Sequence, residues 1–145
     1  ALKIRYILLT HFHFDHTGGA QEMKTITNAP VWIHGLDADG LNFQPDGHLF
    51  DGQEIPLGNF SIKVIHTPGH SAGGVCFHAP GVVFTGDTLF AGSVGRTDFQ
   101  GGDHNLLVQG VVQKIFPLGD KLRVYPGHGP HSTIERELMT NPFFR

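Results

Sequence analysis

Cysteine is nearly missing from this chain: Cys76 stands alone among 145 residues. It cannot close an intrachain disulfide, so nothing calls for an oxidising compartment. Its setting, Val75-Cys76-Phe77, reads as strand, where a small buried apolar residue fits better than a catalytic thiol. Long apolar runs are missing too. None approaches bilayer-spanning length and no signal peptide is visible, so the expected location is the cytoplasm. An excess of positive charge is also lacking. The net charge of -3 gives no electrostatic reason to expect nucleic acid or an anionic membrane as a partner. Repeats and low-complexity tracts are absent. A hydrophobic content of 39 % and a charged content of 16 % fit one globular domain over residues 1–145.

Histidine, by contrast, is plentiful. Eleven are present, with twenty glycines and nine prolines that point to many tight turns. Thr10 to Gly19 reads Thr-His-Phe-His-Phe-Asp-His-Thr-Gly-Gly and packs His11, His13, Asp15 and His16 into six positions. The apolar run Ile4 and Tyr6 to Leu9 leads into it, so the pattern is a buried strand ending in a loop of metal-ligand side chains. Imidazole and carboxylate together suit divalent first-row ions such as zinc without any thiolate.

The rest of the chain follows that lead. Leu2 to Thr10 reads as a strand, and its apolar run Tyr6 to Leu9 is continuous rather than alternating, which predicts a central position covered on both faces. A short helix over about 20–25, closed by Asn28-Ala29-Pro30, and a strand over Val31–His34 then give an α/β layered order. Gly35 to Gly52 predicts a loop or short helix. Hairpins are expected over 53–67, turning at Gly58-Asn59, and over 75–85, turning at Ala79-Pro80-Gly81. An amphipathic helix is expected over Asp103–Leu118, capped by Asp103 or Asn105. A strand over Leu122–Tyr125 and a short helix over about 133–139 complete the chain. Four of these strands end in a turn that delivers a metal-type ligand: the His11 cluster, His70, Asp87 and His128. Strand ends along one sheet edge are where α/β folds build sites. His34, His48, His66, His78, His104 and His131 lack such spacing and read as structural.

His-x-His-x-Asp-His, Pro-Gly-His-Ser, Thr-Gly-Asp-Thr and Pro-Gly-His-Gly, in that order across residues 10 to 131, resemble the metallo-β-lactamase superfamily. Within it, the run Gly86-Asp87-Thr88-Leu89-Phe90 to Gly95-Arg96-Thr97-Asp98 looks like the glyoxalase II (hydroxyacylglutathione hydrolase) branch. The ending Pro-Gly-His-Gly-Pro and the tail Asn141-Pro142-Phe143 are similar to its short bacterial members, which have no C-terminal helical domain. The resemblance implies an αββα sandwich with two divalent metal ions, zinc foremost and iron or manganese as alternatives. It implies that His11, His13 and His70 hold one ion, that Asp15, His16 and His128 hold the other, and that Asp87 bridges them. Asp15 and Asp87 are the implied catalytic carboxylates, Asp15 orienting the nucleophile and Asp87 setting the metal spacing. The implied reaction is hydrolysis of a thioester such as S-lactoylglutathione, by attack of a metal-bridging hydroxide.

One departure from the family concerns the start of the chain. Members of the family have several strands before the Ile7-Leu8-Leu9-Thr10-His11 segment, and their absence here predicts an N-terminally truncated domain with an open sheet edge. A second chain or a dimer is the expected cover for it. Arg96, in a glycine-rich loop nine residues after Asp87, is where the resemblance places a basic residue near the glutathione moiety. Its guanidinium suits a substrate carboxylate, and a structural pair with Asp98 is the competing role. Three other functions share these residues. They are a persulfide dioxygenase-like enzyme with one iron on the His11, His13, His70 and Asp87 set, a lactonase or β-lactamase, and a non-catalytic, metal-stabilised fragment. Structural zinc sites are closed and often thiolate-rich, so seven N/O ligands argue against the last.

Overall fold

The computed structural model describes residues Ala1–Arg145. In chain order the elements are β1 Ile7–Leu8, α1 Phe14–Thr17, α2 Ala20–Thr27, β2 Val31–His34, α3 Gly35–Ala38, β3 Gly47–Leu49, β4 Glu54–Leu57, β5 Phe60–His66, β6 Val75–Ala79 and β7 Val82–Gly86. There follow β8 Leu89–Phe90, β9 Ser93–Val94, α4 His104–Gly110, β10 Arg123–Pro126, β11 Ser132–Thr133 and α5 Ile134–Thr140. A three-stranded sheet runs β1-β2-β3, all parallel. A six-stranded sheet runs β11-β10-β7-β6-β5-β4, and β8 and β9 form a separate ribbon.

Side-chain alternation explains how these pieces stack. In β5 and β6 the neighbours Val64 and Ile65, and Val75, Cys76 and Phe77, point to opposite faces. Val64, Val75 and Phe77 join Leu49 and Ile55 in a core between the two sheets, with Tyr6, Leu8 and Trp32 packed on from the small sheet. Ile65 and Cys76 join Leu107, Val111, Ile115 and Ile134 in a second core under the C-terminal helices. On the far side, Val31 and Ile33 of β2 pack with Leu9 and with Ala20 of α2 in a third core. Helix, sheet, sheet, helix is thus the layer order, as the family resemblance implies. Each fully buried Val or Ile in these cores stabilises the fold by about 1.5–3 kcal/mol over an exposed one.

The first strand departs from expectation. Regular pairing covers Ile7–Leu8 alone, Leu2 and Ile4 are exposed, and β1 is an edge strand rather than a central one. β1 pairs with β2 on one side alone. Beyond β1, the Thr10 carbonyl accepts from Val75 N–H at 2.9 Å and ties the small sheet to the large one.

The long C-terminal helix is also broken. Asp103 caps it, accepting from Leu106 N–H at 3.0 Å, but the α-helix ends at Gly110 and passes into a π-helical turn, Val111–Ile115, and a 3-10 turn, Phe116–Leu118. Pro117 has no N–H to give the Gln113 carbonyl and crowds it, so a regular α-helix cannot run to Leu118. The stretch 35–52, expected as a loop or a short helix, supplies the short helix α3 and also the strand β3, which the pattern does not anticipate. No helix is long and apolar enough to cross a membrane.

Candidate metal centre

All seven residues of the sequence-derived ligand set meet at one edge of the stacked sheets. β7 and β10 are parallel, with Val83 opposite Val124 and Gly86 opposite Pro126, so Asp87 and His128 emerge side by side. His11 follows β1, and His70 lies in the loop from β5 to β6. Asp15 and His16 are not on an irregular loop as expected: they ride on the helical turn α1, which follows His13 directly. Gly127 is a packing requirement of this edge. A methyl group there would run into Asp87 Oδ1 and the His16 ring.

Ligand-type atoms fall into two groups, each with all its atoms within 4.8 Å of one another: His11, His13 and His70, then Asp15, His16, Asp87 and His128. In the first, His13 Nδ1 is 2.9 Å from His70 Nε2. In the second, His16 Nε2 is 3.2 Å from His128 Nε2, and Asp15 Oδ2 is 3.0 Å from His128 Nε2. Asp87 faces both. Its Oδ2 is 3.4 Å from His70 Nε2 and 3.5 Å from His128 Nε2, while its Oδ1 is 3.2 Å from His16 Nε2.

The arrangement fits cations. His11 Nε2 is buried without any hydrogen-bond partner, and Asp87 Oδ1, equally buried, has only His16 Nε2 at 3.2 Å beside it, a costly state for polar atoms. Nitrogen lone pairs and carboxylate oxygens all aim inward, and such acceptors repel one another unless a positive charge sits among them. Two of the rings are fixed in the required sense. His70 Nδ1 donates to the Arg96 carbonyl at 2.7 Å, and His11 Nδ1 meets Thr10 Oγ1 at 2.9 Å, which leaves both Nε2 atoms facing the cluster.

Electrostatics run the same way. Burial, then the neighbouring His16, holds the His11 pKa down to about 3, so its ring is neutral and free to coordinate. Burial and then His70 also lower His13. Burial pushes Asp87 up, but the hydrogen bond from His16 and the surrounding imidazoles outweigh it and keep the carboxylate ionised. The same bond raises His16 above its ordinary value.

A residue that the sequence pattern does not single out holds the loops together. Asp37 is 2 % exposed and accepts from Phe12 N–H at 3.1 Å, Ser71 Oγ at 2.7 Å and Gly73 N–H at 2.6 Å. It therefore joins the His11–His13 segment to the His70 loop. Its one sequence signal is position: it follows β2, which is parallel to β1, so it lies at the same sheet edge as the ligands.

Above the cluster opens a cleft of about 650 Å³, with His13, Asp15, His70, Asp87 and His128 in its floor and Phe90, Ser93, Val94, Arg96 and Phe99 in its wall. Arg96 makes the expected pair with Asp98. Its Nε and Nη2 each reach an Asp98 carboxylate oxygen at 2.7 Å, and the guanidinium stacks over Phe99 at 4.0 Å, yet it lines the cleft. Outside the cluster, His66 stacks on His34 at 4.3 Å and reaches the Ala72 carbonyl at 2.9 Å. Cys76 is buried, and burial pushes its thiol up to about 11, the mark of an inert packing residue.

Known proteins share this fold and this sequence. The chain is 34 % identical over 166 aligned positions to the hydroxyacylglutathione hydrolase GloC of Haemophilus influenzae, covering 98 % of this chain and 76 % of that protein. Among solved structures, the BLEG-1 B3 metallo-beta-lactamase matches with a TM-score of 0.90 and 37 % identity, over 99 % of this chain and 78 % of that one. TTHA1623 in a di-iron-bound form matches with a TM-score of 0.85 and 39 % identity, over 98 % and 78 % of the two chains. The family model described as the metallo-beta-lactamase superfamily matches residues 1–128. With the two-group His/Asp cluster at the edge of an αββα sandwich, these matches establish that the chain belongs to the metallo-beta-lactamase superfamily.

Proposed function

We propose that this metallo-hydrolase cleaves thioesters, with acyl-glutathiones of the S-lactoylglutathione kind as its substrate class. The observation that carries the reading is the pair of N/O ligand groups sharing Asp87 at the foot of an open cleft. His11, His13 and His70 would hold one divalent ion, Asp15, His16 and His128 would hold the other, and Asp87, which faces both groups, would serve both. Zinc is the first choice, with iron and manganese next. When bound, such a pair supplies a water that ionises near neutral pH and positive charge for a developing oxyanion.

The chain's own residues do the rest. Asp87, kept ionised by His16, spaces the two groups. Asp15, exposed at the mouth of the cleft, is positioned to accept a hydrogen bond from the attacking water and orient it. No acid outside the seven ligands faces the cleft floor, which suits a thiolate leaving group, since a thiolate departs without being protonated. Arg96 has Nη1 to spare beyond its Asp98 pair, and a glutathione-type carboxylate is a fitting partner for it. The similarity to a protein named hydroxyacylglutathione hydrolase supports the same substrate class.

A second reading rests on the likeness to BLEG-1, named as a B3 metallo-beta-lactamase: a β-lactam amide as substrate in the same cleft. Metal-loaded protein assayed on S-lactoylglutathione and on nitrocefin separates the two. Turnover of the thioester that a chelator abolishes supports the proposal. Cleavage of nitrocefin with no thioester turnover overturns it.

A further inference from the structure

The β8–β9 ribbon has two residues in each strand, too few to hold its own shape. Yet Phe90, Ser93 and Val94 line the cleft, and the ribbon runs on through Gly95 to Arg96, whose carbonyl fixes His70. Its support comes from the far end of the chain. Gly92, at the ribbon's turn, donates its N–H to Glu137 Oε2 at 2.9 Å. Asn141 Nδ2 donates to the same oxygen at 2.8 Å and to the Ser93 carbonyl at 3.1 Å. The other oxygen of Glu137 accepts from the hydroxyl of Ser132, four residues beyond His128.

Glu137 and Asn141 are each 0 % exposed. Dipolar donors satisfy the carboxylate: a backbone N–H, a hydroxyl and an amide. Burying a carboxylate this way is costly, and an apolar side chain would pack helix α5 more cheaply. What the carboxylate adds is direction. It locks three separate pieces, the ribbon turn, the start of β11 and the end of α5, in one relative placement.

We infer that Glu137 is a positioning residue that holds the β8–β9 ribbon in place as the wall of the substrate cleft, with Asn141 relaying its grip to Ser93. As a statement about substrate binding this rests on the thioester reading; as a statement about the ribbon it does not. Glu137→Leu removes both acceptors at similar volume. Glu137→Gln keeps one oxygen for Gly92 and Asn141 and can turn its amide to Ser132, whose hydroxyl accepts as readily as it donates.

The test measures backbone amide exchange over residues 90–94 together with thioester kinetics, on the metal-loaded full chain. Loss of a charge-assisted bond should speed exchange in the ribbon of Glu137→Leu by about ten- to a hundredfold, with the central strands β5–β7 unchanged. KM should rise by several times more than kcat falls, and Glu137→Gln should recover most of both effects. Parent-like exchange in the ribbon of Glu137→Leu, or a Gln variant no better than Leu, overturns the inference. If Glu137→Leu does not fold, Asn141→Ala, which cuts the tie to Ser93 and spares the carboxylate, is read by the same exchange criterion. If the parent turns over no thioester, the exchange arm still decides the tether, so the two readings fail separately.

Discussion

Replacing Asp37 by asparagine should loosen one half of the centre far more than the other. In the native chain Oδ2 serves Phe12 N–H and Ser71 Oγ, and Oδ1 serves Gly73 N–H. An asparagine has one acceptor oxygen. Whichever way its amide is turned, its NH2 group meets a backbone N–H, that of Gly73 or that of Phe12, and neither can reverse. One buried donor is then left without a partner, at about 1–3 kcal/mol. The surviving bonds lose their charge assistance and about half their strength. A total destabilisation of about 2–4 kcal/mol follows. Asp37→Ala leaves all three donors bare, at a cost that approaches the whole stability of a small domain, about 5–15 kcal/mol, so asparagine is the more informative change. Phe12 lies between His11 and His13, and Ser71 follows His70, so the first ligand group takes the strain. Its metal affinity should fall by about ten- to a hundredfold, as changes just behind metal ligands generally cause, with the Asp15/His16/His128 group affected less. Urea unfolding of the metal-free protein reads the stability, and a zinc titration against a chromophoric chelator reads the two affinities. A parent-like midpoint with both affinities unchanged would refute the reasoning. Equal losses at both groups would show that the strain spreads through the whole edge.

Three more outcomes are expected. Arg96→Ala should raise KM for an acyl-glutathione by about ten- to a hundredfold while kcat moves little; an unchanged KM removes Arg96 from substrate binding. Gly127→Ala puts a methyl against Asp87 Oδ1 and His16, so elemental analysis should find one bound ion per chain in place of two, and full occupancy would count against the packing argument. Metal should also leave unevenly on acidification. His16 is raised above its ordinary 6.5 by its bond to Asp87 and must be neutral to coordinate, so protons compete for it as pH drops through that raised value. His11, held near 3 by burial, stays neutral over the same range. The ion of the second group should therefore be released first, and simultaneous release of both, followed by metal analysis against pH, would contradict this.

The sequence itself carried the chemistry. His11, His13, Asp15 and His16 crowd into six positions after one strand, and His70, Asp87 and His128 each stand beside a glycine after another, so ligand type and spacing are local information. The hairpins over 54–66 and 75–86 were equally legible, because alternation and turn residues act over a few positions. What tertiary structure decided are the matters that depend on neighbours distant in the chain. A continuous apolar run cannot say whether a strand is central or at an edge, and Ile7–Leu8 pairs with β2 on one side only. The pairing of the ligands into two groups around Asp87 required the parallel register of β7 with β10. Asp37 and Glu137 look like ordinary surface carboxylates in the sequence. Their burial, and the loops and ribbon they hold, follow from backbone donors contributed by residues 25 to 45 positions away, which no local pattern records.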